Sequence, residues 1–382
     1  MFQKIKNIEK AAERIKKAVQ NKERIILYGD SDLDGISSVV ILEEAIKSLG
    51  GQVDSVFFPD RENDGYGINL NALNLLKDKA PALFITLDLG IGNVKEVELA
   101  NKMGFEVIIV DHHETLTSPP EASIVVDPKQ KTDDYPFKGL ANVGVTFNLC
   151  EELLGDKISQ NLRNSFLELA ALGTIADMVP QIEQNKRIIE EGLRSLKNTF
   201  RPALRAFLDI LGSGYVFEGS MQKIISALNA AESVNFENES YSLLTCSSVK
   251  KCKETAQILL DKNQYKQQQV KNIIQEVERR ISQNPDQSFI FEGDTAWHLT
   301  LAGSVASIIC QKYEKPVFIF KKMDLESCGS VRNPKGTNSV DAMKTCSDFL
   351  MTFGGHAQAS GFRIKNENLD KFKDCLNKYF RK

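Results

Sequence analysis

Residues 25–38, IILYGDSDLDGISS, run from a β-branched and aromatic strand into three alternate aspartates, Asp30, Asp32 and Asp34, and then into a glycine that opens an apolar-periodic helix. The order strand, acidic turn, helix is the start of an α/β unit. Asp-x-Asp-x-Asp-Gly also opens a calcium-binding EF-hand loop, but that loop needs a bidentate Glu at its twelfth position and a helix before it. Here the twelfth residue from Asp30 is Ile41 and the approach is a strand, which excludes the calcium loop. Gly50 and Gly51 close the helix as a C-cap. In open α/β sheets ligands collect at the carboxyl ends of strands, where these acids sit.

Working outward, the pattern repeats. Strands at QVDSVFF, ALFITLD and FEVIIVD alternate with helices near NLNALNLLK and NVKEVELANK, which predicts a parallel sheet with helices on its faces. A mostly helical stretch follows from about Gly144 to Phe207. A polar, Lys-, Gln- and Glu-rich stretch from about Ser248 to Ile281 keeps enough apolar periodicity for one or two long helices. Beyond it, SFIFE and PVFIF read as strands, SVASIICQKY as a helix, and the segment ending GGHAQASGF as further strand. The expected architecture is α/β: a parallel-sheet domain at 1–212, a long helical connector at 213–284 and a smaller α/β domain at 285–382.

Composition bounds the function. The 382 residues carry 42% hydrophobic and 26% charged side chains with a net charge of −3, as in a soluble globular protein, so any basic nucleic-acid surface has to be local. There is no run of eighteen apolar residues, and the N-terminal helix lacks the apolar core of a signal peptide, so no membrane association and a cytoplasmic location are expected. Seven cysteines without a CxxC pair fit reduced thiols better than a disulfide framework or a zinc ribbon.

The strand ends then converge on one chemistry. ALFITLD ends in Asp88, and FEVIIVD ends in Asp111 followed by His112, His113 and Glu114. Taken singly, a loop Asp is an ordinary helix cap and a paired His an ordinary surface residue. Two of only four histidines, however, fall beside these acids. Asp177 lies in the apolar stretch ALGTIADMVP, where an unpaired buried carboxylate is costly and calls for a cation. Carboxylates with imidazole and no cysteine suit a pair of hard divalent ions, Mn²⁺ or Mg²⁺, rather than zinc. Such a pair activates water and clamps a phosphoryl group, so phosphoester hydrolysis is the expected reaction.

These motifs resemble the DHH phosphoesterases, named for the tripeptide found here at Asp111, His112 and His113, and within them the RecJ-type single-strand nucleases. GDSDLDG looks like the first motif, TLDLGIGN the second, VDHHE the third, and ALGTIADMVP with Asn185 and Arg187 the fourth. FFPDRENDGYGIN resembles the segment between the first two. GSVASIICQKYEKPVFIF and FGGHAQASGF look like the substrate-binding DHHA1 domain.

Carried over, the resemblance implies that Asp32 and Asp34 each bind one ion, Asp88 bridges both, and His112 and Asp177 complete the second site. Asp30 is a ligand or a hydrogen-bond acceptor behind the ligands, and His113 faces the scissile phosphate. Asp88, His112 and His113 would be the catalytic residues. Gly354, Gly355, His356 and Arg332 would hold substrate phosphate. The implied activity is 5′→3′ exonucleolytic hydrolysis of single strands, DNA before RNA, in DNA repair and recombination, with the active site between the two domains.

The sequence also departs from the RecJ pattern. SALNAAES, residues 226–233, replaces the usual Pro-Arg-x-Asn-Ala-x-Gly-Arg, and Leu299 and Thr300, not Pro-Gly, follow Trp297 and His298. With Lys382 as its last residue, the chain is expected to be a short form without the family's OB-fold domain, with a protein partner allowed for in its place. A nanoRNA or cyclic-dinucleotide phosphodiesterase of the same superfamily and a catalytically dead scaffold stay open beside the exonuclease reading.

Overall fold

The strand at residues 25–29 is an interior strand of a five-stranded parallel sheet, and the acids after it lie at the carboxyl ends of the strands. The computed structural model describes residues 3–61, 64–114, 118–212, 217–355 and 357–380. The chain divides into two compact units, Met1–Asn263 and Gln264–Lys382.

The first unit begins with α1 (Ile8–Gln20), which buries Ile8, Ala11, Ala12, Ile15 and Ala18 along one face. Then come β1 (Ile25–Gly29), α2 (Leu33–Ser48), β2 (Ser55–Phe57), α3 (Leu70–Leu76), β3 (Ala82–Leu87), α4 (Val94–Lys102), β4 (Phe105–Val110) and β5 (Ile124–Val126). Every pairing is parallel, in the order β2-β1-β3-β4-β5. Alternate strand residues serve opposite faces, as the two-residue period requires. Ile25, Leu27, Leu83, Ile85 and Ile108 join the core that holds α1 and α2, whereas Ile26, Tyr28, Phe84, Val107 and Ile109 join the smaller one under α3 and α4.

The helical stretch forms α5 (Asn142–Leu154), α6 (Gln160–Ala176), α7 (Glu183–Leu196) and α8 (Pro202–Leu211). Packing of α5 and α6 on α2 explains why α2 is buried on nearly every side, Ser37, Ser38 and Asp34 included. The expected connector comprises α9 (Phe217–Leu228), a small hairpin of β6 (Ser233–Val234) and β7 (Glu237–Asn238), α10 (Glu239–Leu244) and the 35-residue α11 (Val249–Gln283), within which the two units divide.

The second unit contains β8 (Ile290–Asp294), α12 (Leu299–Tyr313), β9 (Val317–Lys322), β10 (Glu326–Arg332), α13 (Ser339–Thr345), β11 (Leu350–Gly355), β12 (Ala359–Lys365) and α14 (Leu369–Phe380). Its sheet runs β11-β12-β10-β9-β8, parallel only between β8 and β9. Phe291, Phe318, Phe320, Phe362 and Phe372 stack in its core at centroid distances of 4.8–6.1 Å. Here one expectation is corrected. Cys346 and Cys375 form a disulfide, with Cα atoms 6.0 Å apart. The reason is tertiary: α13 and α14 meet over that aromatic core, bringing together cysteines 29 residues apart. Among the described residues no helix is long and apolar enough to cross a membrane.

Candidate metal centre

The strand order reverses direction between β1 and β3. At such a switch point the loops leave the sheet on opposite faces and open a crevice at the carboxyl ends. Backbone hydrogen bonds carry the parallel ladder one residue past each strand. The Asp30 amide donates to Leu87 (3.1 Å), the Asp88 amide to Val110 (3.0 Å) and the Asp111 amide to Val126 (3.0 Å). Three acids are thereby fixed in a row along the crevice. Asp30, Asp34, Asp88, Asp111 and His112 are all buried.

The turn after β1 separates the roles of its aspartates. Asp32 is the N-cap of α2, accepting from the Asp34 and Gly35 amides at 3.1 Å, and its side chain stays partly exposed. Gly35 lets the backbone close, since a Cβ there would stand 2.5 Å from the Asp30 carbonyl oxygen. Asp34 points inward and accepts from the Asn142 (2.8 Å) and Val143 (2.7 Å) amides at the N-terminus of α5.

His112 donates from Nδ1 to the Leu140 carbonyl at 2.8 Å, which turns Nε2 toward the acids. Nε2 lies 3.3 Å from Asp88 Oδ1, 3.7 Å from Asp177 Oδ2 and 4.0 Å from Asp34 Oδ2. Among the described residues, His112 Nε2 and Asp177 Oδ2 are buried without a hydrogen-bond partner. Ligand atoms lie within 4.8 Å of one another in each of three sets: Asp34, His112 and Asp177; Asp30, Asp32 and Asp88; and Asp88, His112 and His113. Orphaned buried donors of oxygen and nitrogen type, without sulfur, fit hard divalent ions.

The electrostatics agree. Burial, and then the neighbouring charges of Asp177 and Asp32, raise the Asp34 carboxyl well above its ordinary range; burial and then Asp34 do the same to Asp88. Burial, and then Asp32, push Asp177 up to about 7. Burial, and then His113, bring His112 down to about 3, leaving a neutral imidazole that can ligate a metal.

His113 has a different setting. Its Nδ1 donates to Asp111 Oδ1 at 2.8 Å, and Asp111 also accepts the amides of Ile91, His112 and His113. Burial alone would lower the His113 imidazole, but Asp111 outweighs it and the net shift is upward.

Several residues here escape sequence reasoning. Arg61 donates from Nε to Asp30 Oδ1 (2.9 Å) and from Nη2 to Asp30 Oδ2 and Asp32 Oδ2 (2.8 Å). Asp30 is therefore in one set of possible ligands and is also held by a guanidinium. Tyr66 donates to the Asp88 carbonyl at 3.2 Å and packs edge-on to His113. Asp127, buried after β5, has its carboxyl pushed up to about 7 by burial. For Arg61 and Tyr66 the sequence signal was an Arg and a Tyr in the polar FFPDRENDGYGIN segment, whose partners spacing does not reveal; for Asp127 it was an Asp directly after the short apolar run Ile124–Val126.

In the second unit, Arg332 ends β10 and donates from Nε to Ser307 of α12 at 3.0 Å. Gly354 and Gly355 end β11. Gly355 has φ +124°, and a Cβ there would stand 2.6 Å from Ala359 O. Through β12, Gly354 pairs with Gly361, which pairs with Ser330, so the glycines and Arg332 occupy one end of the same sheet. His356 lies outside the described residues.

Residues 24–174 match the DHH family, N-terminal domain, and residues 286–382 match the DHHA1 domain. The chain is 34% identical over 381 residues to the Bacillus subtilis single-stranded-DNA-specific exonuclease RecJ, an alignment covering 98% of this chain and 48% of that relative. It thus spans about half of that relative's length. It superimposes on an exonuclease RecJ bound to manganese with a TM-score of 0.83 and 27% identity, covering 99% of this chain and 95% of that one. With the Thermus thermophilus RecJ in complex with Mn²⁺ the TM-score is 0.87 at 26% identity, over 100% of this chain and 55% of the other.

Proposed function

We propose, for a chain that belongs to the DHH family and carries its DHHA1 domain, a metal-dependent phosphodiesterase activity of the RecJ kind: 5′→3′ exonucleolytic hydrolysis of single-stranded DNA in repair and recombination. One observation carries this reading. Asp34, Asp88, His112 and Asp177 converge at the sheet's switch point, and His112 Nε2 and Asp177 Oδ2 find no hydrogen-bond partner among the described residues.

In this reading two divalent ions, Mn²⁺ or Mg²⁺, are held by Asp32, Asp34, Asp88, His112 and Asp177, with Asp30 as a ligand or an acceptor behind them. When bound they supply Lewis acidity and a water of lowered pKa. Asp88, grouped with Asp30 and Asp32 and with its Oδ1 3.3 Å from His112 Nε2 of the other group, is assigned the bridging position. His113, held by Asp111, presents its imidazole to the phosphate that is cleaved. Arg332, Gly354, Gly355 and His356 are assigned to a non-reacting phosphate of the strand, through a guanidinium, backbone amides and an imidazole. Residues 1–212 would then be the catalytic domain, 213–284 the connector and 285–382 the substrate-binding domain.

The test is an assay of 5′- and 3′-labelled single strands of several lengths, DNA and RNA, with Mn²⁺ and with EDTA. Mononucleotides released from the 5′ end of DNA, and lost with EDTA, are expected. Cleavage confined to di- to pentanucleotides would replace this reading with that of a nanoRNase. No cleavage by a protein that binds Mn²⁺ would leave a scaffold.

A further inference from the structure

The fourth motif brought Asn185 into view without a task for it. Asn185 is the third residue of α7 and is completely buried. Its Nδ2 donates to two carbonyls, Gly139 at 2.7 Å and Pro180 at 3.0 Å. It belongs to none of the possible metal-ligand sets.

Those two carbonyls lie on the two segments that arrange one ligand set. Residues 139–143 orient two of its members: the Leu140 carbonyl accepts from His112 Nδ1, and the Asn142 and Val143 amides donate to Asp34. Pro180 is three residues beyond Asp177, the third member, in a turn where Met178 has φ +59°. A single side-chain amide therefore ties the segment that aims His112 and Asp34 to the segment that carries Asp177. The backbone that carries the other acids is held elsewhere: Asp30 and Asp88 directly follow β1 and β3 and are fixed by the sheet's ladder, and Asp32 caps α2.

We propose that Asn185 is the positioning residue of one metal position, that of Asp34, His112 and Asp177, and not of the other. The inference rests on the two-ion reading of the centre. With an apolar side chain of similar size, the Gly139 and Pro180 carbonyls lose a buried donor and the two segments are free to separate, so His112 and Asp177 no longer meet at one point.

The test is calorimetric titration of the full chain with Mn²⁺ alone, in wild type, Asn185→Leu and Asn185→Ser, with near-UV circular dichroism as the check on folding. Wild type is expected to bind two ions. Asn185→Leu should retain one with unchanged affinity and bind the other at least tenfold more weakly; Asn185→Ser is the second reading should the leucine variant fail to fold. Two unchanged sites in a folded variant, or equal weakening of both, would overturn the inference while leaving the two-ion centre intact. Fewer than two ions in wild type would instead remove the centre on which it stands. Loss of the near-UV signal in both variants would assign Asn185 to the fold alone and overturn it too.

Discussion

Tyr66 donates its hydroxyl to the backbone carbonyl of Asp88 at 3.2 Å, and Asp88 holds a left-handed φ of +66°. A non-glycine residue is uncommon in that region and is kept there by its surroundings. This hydrogen bond, with the Asp88 amide bound to Val110, fixes the peptide from which the central carboxylate projects. Tyr66→Phe should keep the fold and weaken Mn²⁺ binding by about three- to tenfold, as expected for one hydrogen bond of about 0.5–1.5 kcal/mol. An unchanged Mn²⁺ isotherm would show that Asp88 needs no such support.

Asp88→Ala removes a carboxylate shared by two ligand sets. Hydrolysis is expected to fall below a tenth of wild type, more than about 1.4 kcal/mol in barrier terms, and to stay there when Mn²⁺ is raised. Single-turnover rates at saturating Mn²⁺ decide the matter, and a variant above that tenth would rule out a bridging role.

Metal binding should release protons, and more at pH 6 than at pH 8. Asp177 is pushed up to about 7 by burial and Asp32, so it holds a proton at pH 6 that a divalent ion must displace and has largely lost it by pH 8. His112, down at about 3, is already neutral and contributes none. The sign for stability follows. A carboxyl raised in the folded state stabilises the metal-free protein at low pH, and for Asp177 that contribution is lost as pH climbs from about 4 through about 7. The gain in Tm from Mn²⁺ should therefore be larger at pH 8 than at pH 6. Titrations in buffers of different ionisation enthalpy count the protons, and a release that does not vary with pH would contradict these shifts.

Arg332→Ala should raise KM several-fold on single-stranded DNA and leave the Mn²⁺ isotherm as in wild type. Its guanidinium belongs to the second unit, on the sheet end shared with Gly354 and Gly355. A change in kcat alone with KM constant would move Arg332 from substrate binding to the chemical step.

Much of the first sheet could be read from local pattern. β1, β3 and β4 are short apolar runs each followed directly by an Asp, and the turn 30–35 caps its own helix, because strand propensity, N-capping and the glycine requirement act between residues a few positions apart. The same locality made Asp30, Asp32, Asp34, Asp88, His112 and Asp177 stand out as candidates. What distinguishes them from one another is not local. Asp34 differs from Asp32 because α5 offers it two amides from residues 108 and 109 positions away, and Asp30 differs from Asp32 because Arg61, 31 positions away, takes both of its carboxylate oxygens but only one of Asp32's. The order β2-β1-β3-β4-β5, the Cys346–Cys375 bridge and the double hydrogen bond of Asn185 likewise arise only when distant segments pack. Sequence determined which residues were chemically able to form the centre; tertiary structure decided which of them are buried, partnered or left facing one another, because burial and charge pairing belong to the packed chain and not to any stretch of it.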